Sequence, residues 1–437
     1  MVVLLMGFTT VWAQSDTLFL EKEEAIALAL ENNPSLQAAS LERARAQARL
    51  NETRGNLLPS LNATGSYTRN LKKQVIFFPE EMAGMFGGST ALEVGSDNSF
   101  MGGLQLAMPL YNPAIYANVD AARTQQDIAS QDYSTQILEL TWNVQQAWYD
   151  VLLAGESLEV VESSFNNASG NLENIRQMYR QGLVAEYDLI RAQVQTENLR
   201  PDLLQAQNMY DMSLNFLKIL LGMDEQQPIV VQGSLLESSE QMLEDFSILG
   251  AERSLQQNPQ VVSLGLQHDL MLKQADVVKA SGLPSVGAVS NFMYLTEANN
   301  FDIGGYNWVN TASAGLQLSI PIFRGRTVHN QVKQIQIGAQ QLKIQQEYLQ
   351  DNLSIELENA LQSMNVAMEK ASHARLNVEL AERGYNIARV RYDSGQGTLL
   401  EINDSDTALR VARFNLLQAK HELLSARIRY DRFVGDQ

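Results

Sequence analysis

The sequence predicts a mainly α-helical subunit built as a tandem repeat, in which very long coiled-coil helices alternate with four strands of a membrane β-barrel. Three observations carry this: landmarks that recur in the same order in two halves, heptad stripes far longer than globular helices need, and alternating strands punctuated by prolines. Asn33-Pro34 and Pro59-Ser60 return 225 positions later as Asn258-Pro259 and Pro284-Ser285. Further along, the displacement becomes 212 to 213, so the first copy carries the longer insertion between its strands. Leu104-Gln105-Leu106 before Pro109 returns as Leu316-Gln317-Leu318 before Pro321, and Tyr179, Gly182 and Gly222 return as Tyr392, Gly395 and Gly435. Repeats define the fold before any single motif does. The organisation read from them is a leader over 1-13, a first repeat over 14-222, a connecting segment over 223-246 and a second repeat over 247-437.

Each repeat is expected to run helix, two strands, very long helix, sharp turn, and a helix of about 40 residues. From Ile137 the apolar residues step by three and four through Leu140, Val144, Ala147, Val151, Ala154, Leu158, Val161, Phe165, Ala168, Leu172, Ile175 and Tyr179. The second copy keeps the phase from Leu353 through Ala360, Met364, Ala367, Ala374, Val378, Ala381, Tyr385 and Ala388 to Tyr392. A stripe sustained over this many heptads is a coiled-coil seam. A helix from Pro113 to Gln181 would be roughly 100 Å long at 1.5 Å per residue. Pro201 inside the following helix predicts a kink.

The strands separate this chain from a plain coiled-coil rod, such as a secreted scaffold or adhesin. After Pro59, the residues Leu61, Ala63, Gly65 and Tyr67 alternate with Asn62, Thr64, Ser66 and Thr68, as a strand between two unlike environments does. Leu104, Leu106 and Met108 lead to Pro109, Val286, Ala288, Phe292 and Tyr294 follow Pro284, and Leu316, Leu318 and Ile320 lead to Pro321. The prolines are expected at strand-to-helix boundaries, where a missing amide donor does least harm. Four strands cannot close a barrel, and an open edge is not tolerated in hydrocarbon. Identical subunits must therefore complete it, as a dimer of eight strands or a trimer of twelve. The polar insertions, Asn70 to Ser99 with Phe77-Phe78 and Glu297 to Asn307, are expected at the outer tips.

Composition removes whole classes of function. The 437 residues carry a net charge of -18, which opposes nucleic-acid or anionic surfaces, and there is no cysteine for a disulfide, a thiolate metal site or a nucleophile. His268, His329, His373 and His421 are scattered, without paired ligand spacing, so no metal is expected. Gly395-Gln396-Gly397 lies at a hairpin and does not follow a buried strand as a phosphate cradle does. No catalytic constellation and no cofactor site is read, and an enzyme is not expected. The apolar run Val2 to Val11, ending in Val11-Trp12-Ala13, resembles the end of a secretory signal without its basic leading stretch.

Together these features resemble the TolC family of outer-membrane factors over nearly the whole chain. The sharpest matches are Ser319-Ile320-Pro321-Ile322-Phe323 with Gly325, Val328, Asn330 and Val332-Lys333-Gln334, and the two turns at Gly182-Leu183-Val184 and Tyr392 with Gly395. The resemblance implies a homotrimer with a twelve-stranded barrel in the outer-membrane lipid and an α-helical tunnel in the periplasm. It implies a periplasmic adaptor as direct partner, an inner-membrane transporter as indirect partner, and a role as passive conduit in efflux or type I secretion. Residue by residue, it implies a pore constriction at Glu401 and Asp404, a closed-state link between Tyr392 and Asp188, and adaptor docking at Gly182, Leu183, Val184, Gly395 and Thr398. The i, i+3 spacing of Glu401 and Asp404 puts both carboxylates on one helical face. Their plainer reading is as helix-start acids favoured by the macrodipole, and that of the glycines is helix termination. A second link implied by the family, Arg to Thr, is not preserved, since Gly397 and Tyr187 occupy those positions.

Overall fold

In the computed structural model, residues 17–77, 79–84, 90–248 and 255–434 are described. The expected leader and Phe78 lie outside them. The chain divides into two compact units. One, comprising residues up to 43, 130–265 and 344 onward, is helical; the other, 44–129 and 266–343, carries the sheet. Their elements are β1 (Leu18–Leu20), α1 (Lys22–Asn32), α2 (Pro34–Gly55), β2 (Ser60–Arg69), β3 (Gln74–Phe77), α3 (Glu80–Ala83), β4 (Ala91–Val94), β5 (Asn98–Tyr111) and α4 (Pro113–Arg180). There follow α5 (Glu186–Leu221), β6 (Ile229–Val231), α6 (Leu235–Ile248), α7 (Pro259–Ala280), β7 (Ser285–Ala298), β8 (Val309–Ser319), α8 (Thr327–Asp393) and α9 (Leu399–Val434).

The sheet is antiparallel in the order β2-β5-β7-β8, so strands of the two repeats meet at β5 and β7 and both outer edges are free of partners among the described residues. Directly opposed residues share a face. The register therefore lines up Ala63, Leu104, Phe292 and Ala312 on one side and Asn62, Gln105, Asn291 and Ser313 on the other. The apolar side stays uncovered: Leu61, Leu104, Phe292, Tyr294, Leu316 and Leu318 are all exposed. An apolar face of this extent without protein cover marks a contact with lipid or protein. No described helix is long and apolar enough to cross a membrane.

The expectation that prolines mark strand ends is corrected at Pro109. Pro59 and Pro284 precede their strands and Pro321 follows β8, but Pro109 lies inside β5 at a register shift against β7. A bulge is one of the few interior positions where a strand tolerates a residue without an amide hydrogen. The leading helix of the first repeat is α2, and a shorter helix, α1, precedes it and ends at Asn33. The first insertion forms a hairpin of β3 and β4, and the second is pinned at the sheet end: Asn98, fully buried, donates to the carbonyls of Ala298 and Asn300 and accepts from Tyr67 Oη. The Phe301 ring packs at a tilt against Tyr67, and that of Tyr306 against Phe100.

In the helical unit the heptad seam becomes core. Val144, Trp148 and Val151 of α4 pack with Leu217 and Leu221 of α5, Leu235 of α6, Met364 of α8 and Leu423 and Leu424 of α9. Each such fully buried side chain stabilises by about 1.5–3 kcal/mol. α5 continues through Pro201. The connecting segment holds an element that periodicity did not reveal: β6 pairs in parallel with β1. It also holds α6, whose first amide, Leu235 N, donates to Glu156 Oε1 at 2.7 Å. Burial raises the pKa of Glu156 and lowers that of nearby Lys420, because each charge leaves water more than its neighbours compensate.

Candidate functional site

The site is the pair of helix turns, both in the helical unit. At the first, α4 ends and Gly182 takes φ +75°, with Gly182 N bonded to Tyr179 O and Leu183 N to Met178 O, both at 2.9 Å. At the second, Gly395 takes the same φ of +75°, with Gly395 N on Tyr392 O at 2.9 Å and Gln396 N on Arg391 O at 2.8 Å. Left-handed glycines with these paired bonds terminate helices because no Cβ opposes the conformation. Thr398 then caps α9, its Oγ1 accepting from Glu401 N at 3.3 Å.

A small apolar cluster joins the turns: Ile175, Ala192 and Leu399 are buried together, with Leu172, Val184, Leu189 and Tyr392 around them. Tyr392 and Asp188 are near neighbours without a hydrogen bond between them; burial chiefly, and the Asp188 carboxylate next, raise the phenol's pKa. Glu401 and Asp404 are both exposed in the first turns of α9. They are not equivalent. Arg391 Nη1 lies 3.7 Å from Glu401 Oε2, and Arg391 Nη2 donates to Gln396 O at 3.2 Å, so one guanidinium ties the turn to the helix start. Asp404 has no such cation among the described residues.

A Cβ at Gly397 would stand 3.0 Å from Tyr392 N and 3.1 Å from the Arg391 carbonyl carbon, so a larger residue there needs the turn to give by a few tenths of an ångström. Arg391, six residues before Gly397 and not marked by any sequence motif, supplies the positive charge at this turn. Sequence also gave no signal for the links above the turns, which join residues distant along the chain. Arg410 Nη1 of α9 bonds Asp202 Oδ2 of α5 at 3.1 Å, and Arg413 Nη2 of α9 bonds Glu382 Oε1 of α8 at 2.8 Å.

Asp406, on the same helix, is held above its ordinary pKa of 3.8, since burial outweighs the attraction of Arg410 and Arg413. A carboxyl raised in the fold opposes folding once ionised: the cost is absent below pH 3.8 and complete above the folded pKa. Asp406→Asn is therefore expected to raise the melting temperature at neutral pH and to leave it unchanged below pH 3.8, as thermal circular dichroism at the two pH values would record.

A four-stranded sheet with an uncovered apolar face, in a chain whose long helices end in glycine turns, is the make-up of a membrane-channel subunit. The family model described as Outer membrane efflux protein matches residues 25–223 and 251–436, and the chain belongs to that family. Outer membrane protein TolC of Vibrio cholerae is 22% identical over 441 residues, covering 98% of this chain and 92% of that protein. The alkaline protease secretion protein AprF of Pseudomonas aeruginosa is 22% identical over 443 residues, covering 97% and 88%. Among solved structures, the CmeC outer membrane channel of Campylobacter jejuni superposes with a TM-score of 0.75 at 19% identity, over 95% of this chain and 85% of that one. The protein is thus an outer-membrane channel component of an efflux or type I secretion system.

Proposed function

We propose that three copies of this chain close a twelve-stranded barrel and form a passive duct gated at the paired turns. The observation that supports it most directly is the sheet: one uncovered apolar face, one polar face, and two edges without partners. Three such sheets, joined β2 to β8, satisfy every edge in lipid and put the row of Asn62, Gln105, Asn291 and Ser313 on the water-filled side. Energy comes from an inner-membrane transporter, and a periplasmic adaptor docks at the turns around Gly182, Leu183, Val184, Gly395 and Thr398. Leu183, 65% exposed, and Tyr187, 69% exposed, give that surface an apolar anchor. The relatives serve unlike cargoes by name, protease secretion in one case and cobalt-zinc-cadmium resistance in another. Choice of cargo accordingly belongs to the transporter.

At the gate, Asp404 faces its symmetry copies without a local cation, while Glu401 is partly neutralised by Arg391. Closely spaced carboxylates attract cations and repel one another. In planar bilayers the wild type is expected to give small, cation-selective steps; Asp404→Ala raises their conductance several-fold, and Glu401→Ala does so less. Conductance unchanged in the double variant removes the gate from these residues. A detergent-extracted species that runs as a monomer on native gels removes the trimer.

A further inference from the structure

The two repeats make the same passage from strand to long helix with different charge. In the first, no charged residue occurs from Asn98 to Val119, through β5 and into the start of α4. In the second, no Asp or Glu occurs from Ile303 to Gln346, while Arg324, Arg326, Lys333 and Lys343 all fall there. At the displacement of 212 that carries Pro109 to Pro321, Arg324 stands where the first repeat has Asn112, and Arg326 where it has Ala114. The passage itself therefore needs no cation. The chain as a whole, at net charge -18, is repelled by anionic surfaces, and this stretch reverses the sign locally.

The two arginines sit on the turn between β8 and α8. Gly325 takes φ +56° and Arg326 φ +62°, and Arg326 is the one described residue other than glycine with a positive φ. A side chain in the left-handed region is strained where glycine would be at ease, so the backbone here does not account for the arginine. With Lys279 of α7 and His329 of α8, the arginines line a cavity of about 600 Å³ between the end of one helix and the start of the other. Lys279 is already paired with Asp276 at 2.9 Å, whereas Arg324 and Arg326 are exposed and form no ion pair among the described residues. The remaining walls are apolar and open: Leu283 is 51% exposed, Phe323 82% and Ile322 95%. Ile320 beside them continues the alternation of Leu316 and Leu318 on the uncovered apolar side of β8.

We propose that this junction seats an anionic phospholipid at the periplasmic rim of the barrel, its phosphate on Arg324 and Arg326 and its acyl chains along Ile322, Phe323 and the apolar side of β8. Cations at the foot of an apolar face match a molecule with phosphate at one end and hydrocarbon at the other. Basic pockets at a membrane boundary take such headgroups, and a guanidinium suits phosphate because two N–H donors meet two oxygens. The apolar row of β8 ends at Ile320, so the arginines stand at the depth where headgroups replace acyl chains. Each subunit holds one site, on its second repeat alone, since the first has no cation at the equivalent turn. The site rests on the barrel proposed above and is independent of the gate at the helix turns.

The test uses the full chain as the assembled channel in nonionic detergent, with phosphatidylglycerol or phosphatidylcholine added and the retained lipid counted by native mass spectrometry. The wild type is expected to hold one phosphatidylglycerol per subunit and to keep it several-fold better than phosphatidylcholine. Arg324→Gln combined with Arg326→Gln should abolish that preference, and Arg324→Lys combined with Arg326→Lys should keep most of it. Phe323→Ser, which leaves the charges in place, should weaken retention of both lipids and preserve the preference between them. Equal retention of the two lipids by the wild type overturns the site, and so does a glutamine variant that discriminates as the wild type does. Displacement of the lipid by millimolar inorganic phosphate also overturns it, because the pocket would then be a site for free anions. If the glutamine variant no longer assembles in detergent without added lipid, the arginines hold the neighbouring subunit and the lipid assignment is refuted. A wild type that runs as a monomer on native gels removes the barrel; a trimer without lipid preference removes this site alone.

Discussion

Gly103→Ala is expected to prevent the four-stranded sheet from forming in its native register, while Gly102→Ala, one residue earlier on the same strand, is expected to be tolerated. A Cβ at Gly103 would stand 2.5 Å from the Phe292 carbonyl oxygen and 3.0 Å from Met293 Cα, both on the backbone of β7. Neither atom can rotate away, so β5 and β7 would have to part at the seam that joins the two repeats. At Gly102 the corresponding closest atom, Thr64 O, is 3.9 Å away, an ordinary contact. Both substitutions raise strand propensity equally, so propensity does not separate them and the clash does. Overpacking of this kind costs about 1–3 kcal/mol where neighbours can adjust, and more where the obstacle is backbone. Refolding into detergent, followed by gel mobility of the heat-resistant form, should show the Gly102 variant assembling as the wild type does and the Gly103 variant failing. Equal yields would mean that the strands can separate at this point without loss.

How far the fold was legible depended on the range of the interaction. The seam of α4 was legible because Val144, Ala147, Val151 and Ala154 repeat a local period, and the structure buries all four. The alternation of β2 was legible for the same reason, and it yields the two unlike faces that the register displays. Pro109 was misplaced because a strand end and a bulge both accommodate a missing amide hydrogen, and only the pairing with β7 distinguishes them. The pair of β1 with β6 was illegible: Leu18–Leu20 and Ile229–Val231 are each three residues long, too short to show a period, and they meet across some two hundred positions. At the site, the turns were marked by glycines that the conformation requires. The arginines were not, since Arg391, Arg410 and Arg413 acquire their roles only from partners that the folded helices bring alongside.

The recurrence of Asn-Pro shows the same limit, and it carries the second large prediction. In sequence, Asn33-Pro34 and Asn258-Pro259 served only as landmarks of duplication. In the structure each asparagine does two things. Its Oδ1 caps the helix that follows, accepting from Ser35 N at 2.9 Å in one repeat and from Gln260 N at 3.0 Å in the other. Its Nδ2 donates to a carbonyl in the last turn of the helix that ends the same repeat, Leu220 O at 2.8 Å and Phe433 O at 3.1 Å. Both side chains are buried, and the carbonyls they meet have no intrahelical partner among the described residues. One residue thus binds the beginning of each repeat to its end. Asn33→Ala is expected to lose the cap, about 0.5–2 kcal/mol, and to leave the Leu220 carbonyl unpaired, about 1–3 kcal/mol more. Asn33→Asp separates the two roles: it keeps the cap, but sets a carboxylate against the Leu220 carbonyl and the negative end of the α5 dipole, so it should be no more stable than the alanine variant. Asn33→Ser, which keeps a capping oxygen without that repulsion, should fall between wild type and alanine. The Asn33 and Asn258 sites share no partner, so their costs should add to within about 0.5 kcal/mol in the double alanine variant. Thermal unfolding of the helical signal in detergent measures all of these. If Asn33→Asp melts with the wild type, capping is the whole contribution and the closure of each repeat upon itself does not depend on the amide.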